Sequence, residues 1–215
     1  RQHLQTMGPL WVPRRMTVIE VGGGLLLHSP NELSPALRGA LDALEAPVRW
    51  LVAPSVMHTA FLADYQAAYP EALLFAAPGL EHLGGAPLTD ATRVGGEDAP
   101  WASEVRHLQT EGVPRLNEVA FFHAPSQTLV LTDFAHDVGP DNPWLTRTVF
   151  RAIGGYGRIG PTRYFRWLVE DRAAVARSVE RICAEWEFSR VLVGHGRGGA
   201  CAPDELRAAF RAYGA

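Results

Sequence analysis

The run Ser189-Arg190-Val191-Leu192-Val193-Gly194-His195-Gly196 reads as a short β-branched strand that ends on a histidine between two glycines. Just before it, Asp171 to Trp186 is the clearest amphipathic helix in the chain. After it, Pro203 to Tyr213 reads as a closing helix with Asp204 and Glu205 in its first turn, where the helix dipole favours acids. A helix feeding a buried strand whose carboxyl end carries a histidine is the pattern of an α/β sheet with a site at its strand ends. Gly194 to Gly199 also fits GxGxxG, but no second strand follows to complete a dinucleotide-binding unit. The other match, Gly155 to Gly160, follows a helix and precedes Pro161, so both read as glycine-rich turns.

Working outward, two more polar residues sit just beyond strands. His58 follows Leu51-Val52-Ala53, and Asp133 follows Leu129-Val130-Leu131. Two imidazoles and one carboxylate are a sufficient ligand set for zinc with an open position. Strand ends also collect polar residues for turns, so spacing alone leaves both readings open.

The remaining pattern has two β-rich blocks. In the first, Thr17 to Val21 and Leu25 to His28 form a hairpin, and Ser34 to Leu44 is a helix capped by Ser34 with Leu37, Leu41 and Leu44 on one face. The strand Val48 to Ala53, the helix Ala60 to Ala68 and the strand Leu73 to Ala76 follow. Gly79 to Ser103 is a loop-rich connection. The second block holds the strands Val105 to Thr110, Glu118 to His123 and Thr128 to Thr132, then helices over Asn142 to Ile153 and Pro161 to Glu170. This order predicts an α/β fold of two mixed sheets face to face with helices outside, one domain over residues 1–215 with residues 1–15 as an N-terminal extension.

Composition narrows the partners. A net charge of −3 gives no field that would attract nucleic acid or an anionic membrane, and neither is expected as a partner. All basic residues are Arg, so lysine chemistry is excluded. Cys183 and Cys201 do not make a disulfide framework, and a reduced, cytoplasmic protein is expected. There is no GxSxG elbow, HExxH or Walker loop.

The segment Ala174 to Gly196, ending in Gly194-His195-Gly196, resembles the helix, strand and Gly-His-Gly of the metallo-β-lactamase superfamily that carry its last metal-binding His. The hairpin Asn117 to Asp133, turning at Pro125-Ser126, is similar to the segment that ends in the family's metal-bridging Asp. His58 matches the last His of the family's HxHxDH signature, but Ala53, Ser55 and Met57 stand where the other ligands would be. Glu111 to Pro114 offers no counterpart to a further ligand His. Leu25 to Pro30 and the stretch around Pro78-Gly79-Leu80 are similar to an uncharacterised branch of the superfamily, described as a domain of unknown function.

The resemblance implies a four-layer αββα sandwich and at most one metal, zinc or iron, on His58, Asp133 and His195. It implies a metal-dependent hydrolase with a reduced site, or a non-catalytic relative that keeps the fold as a binding or scaffolding module. In the first case His136 is the candidate fourth ligand or general acid, and His28 the candidate donor of a supporting hydrogen bond. Arg158 and Arg163, in an arginine- and aromatic-rich stretch without acids, are the candidates to hold an anionic small-molecule substrate.

Overall fold

The computed structural model describes residues 3–7, 10–80, 82–83, 86–87, 92–93 and 99–215. Period-two alternation in the central strands sorts their side chains onto two faces, and this sorting builds the layers. In β4 (Gly24–His28) and β5 (Val48–Ala53), Leu26, Trp50 and Val52 point one way, while Leu25, Leu27, Leu51 and Ala53 point the other. In β11 (Val119–His123) and β12 (Thr128–Asp137), Val119, Phe121 and Val130 face one core, and Ala120, Phe122, Leu129 and Leu131 another. The first group from each pair meets around Trp101 in a core shared by both sheets.

One sheet has the order β3-β4-β5-β6-β9, with β3 Thr17–Val21, β6 Leu73–Ala76 and β9 Thr92–Arg93. The other runs β10-β11-β12-β13-β14, with β10 Val105–Gln109, β13 Arg190–Gly196 and β14 Gly199–Ala200. Both sheets are mixed: β3 and β4 are antiparallel and β4 and β5 parallel, while β11 and β12 are antiparallel and β12 and β13 parallel. Helices α1 (Pro35–Asp42) and α2 (Leu62–Ala68) cover the outer face of the first sheet through Leu41, Leu62 and Tyr65. Helices α4 (Arg163–Leu168), α5 (Arg172–Glu185) and α6 (Pro203–Phe210) cover the second through Phe165, Val179, Ile182 and Phe210.

The expected α/β sandwich is therefore present, and the differences are local. Ser34 caps α1 as read, accepting from the Leu37 N–H, but the helix stops at Asp42 and leaves Leu44 half exposed. Asp171 caps α5 and Thr162 caps α4 through their side-chain oxygens. In the loop-rich connection, backbone is described for the short pair β7 (His82–Leu83) and β8 (Ala86–Pro87) and for β9; the rest of residues 81–98 lies outside the described residues. Of the aromatics in α3 (Trp144–Ile153) and α4, Phe150 is buried against Val12 and Val138, whereas Trp144 and Trp167 are exposed. Among the described residues no helix is long and apolar enough to cross a membrane.

The segment read as an extension is a hairpin, β1 (His3–Met7) with β2 (Leu10–Arg14). It docks on the carboxyl end of β13: the Arg15 N–H donates to the Gly194 carbonyl at 2.8 Å, and its guanidinium donates to the carbonyls of Gly196 and Arg197.

Candidate metal centre

His195 lies inside β13, beside His136 of β12 in the parallel register. The flanking glycines are required by how closely the two strands approach. A Cβ on Gly194 would stand 3.0 Å from the Thr132 Cα and 3.1 Å from the His58 Cε1, and one on Gly196 would stand 2.1 Å from the Asp137 carbonyl oxygen. Gly196 also has φ +135, outside the range that L side chains adopt readily. Strand β12 is irregular between Leu131 and His136, and Asp133 sits in that break. His58 lies in the turn after β5, with its own N–H on the Ser55 carbonyl.

The structure brings the three together. One donor atom from each of His58, Asp133 and His195 lies within 4.8 Å of the others. Asp133 Oδ1 is 3.0 Å from His195 Nε2, and Oδ2 is 3.2 Å from His58 Nε2. Two ligand atoms around one tetrahedral zinc stand about 3.3 Å apart. Oδ2 is buried and makes no hydrogen bond of normal geometry, although His58 is close; it is the orphaned oxygen a cation would satisfy.

The far side of each imidazole is occupied. His195 Nδ1 is 2.8 Å from the Pro13 carbonyl of β2, which can only accept, so Nδ1 carries the proton and Nε2 is left to face Asp133. His58 Nδ1 is held by the Ser29 hydroxyl. Ser29 is buried with φ +56, an uncommon conformation for a residue with a side chain, and it marks the end of β4 where the chain turns toward the site.

Electrostatics follow from burial and pairing. Burial disfavours the Asp133 carboxylate, yet the charge of the adjacent His58 and the hydrogen bond from His195 more than offset it and hold the acid well below its usual range. Burial also disfavours charge on His195, but Asp133 and the Pro13 carbonyl raise its pKa. His58 moves down, because burial outweighs its attraction to Asp133.

Two supporting groups carry no motif and were not read from the sequence. Glu118, fully buried just before β11, accepts three backbone N–H bonds: Thr132 at 2.6 Å on Oε1, and Asp133 at 2.7 Å and Phe134 at 2.8 Å on Oε2. Burial and the charge of Asp133 push its carboxyl up to about 7, against those donors. The adjoining backbone holds the His58 turn, with Val119 N–H on the Pro54 carbonyl and Val56 N–H on that of Leu116. Arg14, on β2, is the second group: it is buried, with its guanidinium over the Phe61 ring. An acid at the entry to the apolar run Val119 to Phe122 was the only available signal for Glu118.

The other sequence candidates lie differently. His136 stacks on His195, with ring centroids 5.3 Å apart and planes at 14°, and burial with the charge of His195 pushes it down to about 3. The ring therefore packs against His195 in its neutral form. The supporting hydrogen bond assigned to His28 comes instead from its neighbour Ser29; His28 is buried edge-on to Phe121 and pushed down to about 3 by burial and His58. Arg158 is exposed with its Nε on the Gly154 carbonyl, beside a groove formed by Ile159, Gly198 and Cys201. Arg163 is exposed at the start of α4. Ala53 packs in the core outside the first sheet, the Ser55 hydroxyl accepts from the Met57 N–H, and the Met57 side chain is exposed.

Comparison with known proteins bears on the family and the fold. The family described as Domain of unknown function (DUF4336) matches residues 2–152. No curated protein matches the chain. Among solved structures it is similar to a metallo-beta-lactamase from Pontibacter korlensis, at 13% identity and TM-score 0.64, covering 98% of this chain and 93% of that one. TTHA1623 in a di-iron-bound form is similar at 16% identity and TM-score 0.61, with 94% and 96% covered. The metallo-beta-lactamase FIM-1 from Pseudomonas aeruginosa, in a mono-zinc form, is similar at 16% identity and TM-score 0.59, with 99% and 90% covered. The fold is that of the metallo-β-lactamases.

Proposed function

This chain belongs to the family described as Domain of unknown function (DUF4336), and from that membership and the geometry of its centre we propose that it is a metal-dependent hydrolase with a mononuclear site. One observation carries the reading: His58, Asp133 and His195 turn their free donor atoms toward a common point, while Ser29 and the Pro13 carbonyl hold both Nδ1 atoms. Zinc or iron is the ion that two imidazoles and a carboxylate suit. A divalent cation bound there supplies Lewis acidity toward a carbonyl or phosphoryl oxygen. The protein's own part is to fix the ligands: Glu118 holds the backbone under Asp133, and Pro13 sets the His195 tautomer. The substrate is a small molecule, and Arg158 and Arg163 remain candidates to meet it.

Metal analysis of untagged protein tests the reading, with about one equivalent of zinc or iron expected. His58→Ala and His195→Ala are each expected to weaken zinc binding by about 100-fold, since each removes one of three ligands. Metal-free protein that stays folded in chelator would instead support a non-catalytic module. The observation favouring that second reading is the Asp133–His195 pair at 3.0 Å, which can neutralise the acid by itself.

The pH dependence of zinc uptake has a definite sign. His195 is raised above its ordinary value, so in acid its Nε2 holds a proton that must leave before zinc can bind, whereas Asp133 stays ionised until far lower pH. Zinc affinity is expected to fall by about tenfold per pH unit once the pH is below the His195 value, with one proton released per ion. A zinc titration that is flat from neutrality down to acid would contradict this pairing.

A further inference from the structure

Helix α4 carries a face that its own packing does not explain. Phe165 and Leu168, 1% and 4% exposed, supply its contact with the core, and Phe165 lies edge-on to both Phe134 and Phe210. The rest of the helix turns outward: Tyr164 is 49% and Trp167 69% exposed, interleaved with the exposed Arg163 and Arg166. Spacings of three and four residues put these side chains on one side of the helix. The two rings lie together with centroids 6.0 Å apart, and the Arg115 guanidinium carbon sits over the Trp167 ring at 5.4 Å. Backbone fixes the Arg115 loop beside the helix. The Glu170 and Asp171 N–H groups both donate to the Gly112 carbonyl, and a Cβ on Gly112 would stand 2.2 Å from the Asp171 carbonyl oxygen.

The charge around these rings is positive. From Asn142 to Val169 there are five arginines and no acid. Of the acids just beyond the helix, Asp171 caps α5 and shares Arg177 with Glu111, at 4.0 and 3.9 Å. Glu170 stands at the helix end, two residues before the exposed Arg172. Salt screens exposed charges beyond about 8 Å, so these local arginines, and not the chain's net charge of −3, set what this face attracts.

Contacting aromatic rings left in water mark an interaction surface. Rings of Trp and Tyr settle at the headgroup level of a bilayer, and arginines beside them meet anionic lipid phosphates. A nucleic-acid strand would need open ring faces on which to stack its bases, and Arg115 already covers one face of Trp167. We infer that α4 is a peripheral docking face for an anionic phospholipid surface, with Tyr164 and Trp167 at the headgroup level and Arg115 and Arg166 on lipid phosphates. Arg163 stands at the edge of this face, at the start of the helix. The inference is independent of the metal centre and needs no ion.

The test is cosedimentation of the full chain with vesicles of phosphatidylglycerol and phosphatidylcholine in equal parts, against vesicles of phosphatidylcholine alone. Wild type is expected to partition onto the anionic vesicles at least about tenfold more strongly, and to be released by high salt. Arg115→Glu combined with Arg166→Glu is expected to cut partitioning by about thirtyfold or more, and Trp167→Ala by about tenfold. Arg115→Lys combined with Arg166→Lys keeps both charges and is expected to stay within about threefold of wild type, which separates headgroup attraction from a folding defect. Partitioning onto neither vesicle, onto both equally, or without regard to the substitutions overturns the inference. Tighter binding to a single-stranded oligothymidine than to the anionic vesicles, lost in the same variants, overturns it too and gives the face to nucleic acid.

Discussion

Glu118→Ala is expected to destabilise the protein by about 3 to 5 kcal/mol, read as a fall in urea midpoint at unchanged m-value. The Glu118 carboxylate accepts the N–H groups of Thr132, Asp133 and Phe134, all three in the break of β12. Alanine would leave three donors without partners in a dry interior, at about 1 to 3 kcal/mol each, offset in part because a buried carboxylate no longer has to be desolvated. Glu118→Gln separates charge from hydrogen bonding. Its one oxygen can take the place of Oε2 and keep the bonds from Asp133 and Phe134, but its amide nitrogen then faces the Thr132 N–H. About 1 to 3 kcal/mol should be lost, with the Asp133 backbone still held. Since burial and Asp133 raise the Glu118 carboxyl to about 7, above its unfolded value, the cost of ionising it grows as pH rises between the two values. Stability contributed by its protonated form is present in acid and lost through about pH 7, and the Gln variant should lack that slope. Equal stability of the Ala variant and wild type would remove Glu118 as a support of the centre.

Gly196→Ala carries the other large effect, a loss of about 4 kcal/mol or more together with the proposed metal site. The added methyl would lie 2.1 Å from the Asp137 carbonyl oxygen, a backbone atom that cannot move unless β12 moves, and φ +135 adds strain of its own. Gly199→Ala, three residues on, meets nothing within 4 Å and should change stability by no more than about 0.5 kcal/mol. Thermal melts and zinc stoichiometry on the two variants check both statements. Comparable losses in both would mean that the strand as a whole, and not the approach of Gly196 to Asp137, is sensitive.

These two residues show what a sequence can reveal and what it cannot. Gly196 was visible, because a glycine pair around a histidine after a β-branched run has few structural uses. Asp133 and His58 were visible through their positions near strand ends, although Asp133 proves to sit in an irregular part of a strand that runs on to Asp137. Glu118 was not visible as a support, since its partners are backbone N–H groups that every residue possesses and no side-chain pattern encodes. Ser29 was missed in favour of His28 for a geometric reason: the positive φ at the end of β4 points the serine, and not the histidine, at His58. Arg14 and Pro13 were set aside with the N-terminal segment, because docking onto β13 joins residues about 180 positions apart and leaves no local periodicity to read.

That long-range clasp has a consequence for biosynthesis. Pro13 leaves the ribosome 182 residues before His195, so the imidazole cannot acquire its fixed tautomer until both ends of that clasp have been made. Until then His58 and Asp133 lack their third companion, and assembly of the three side chains is a long-range tertiary event.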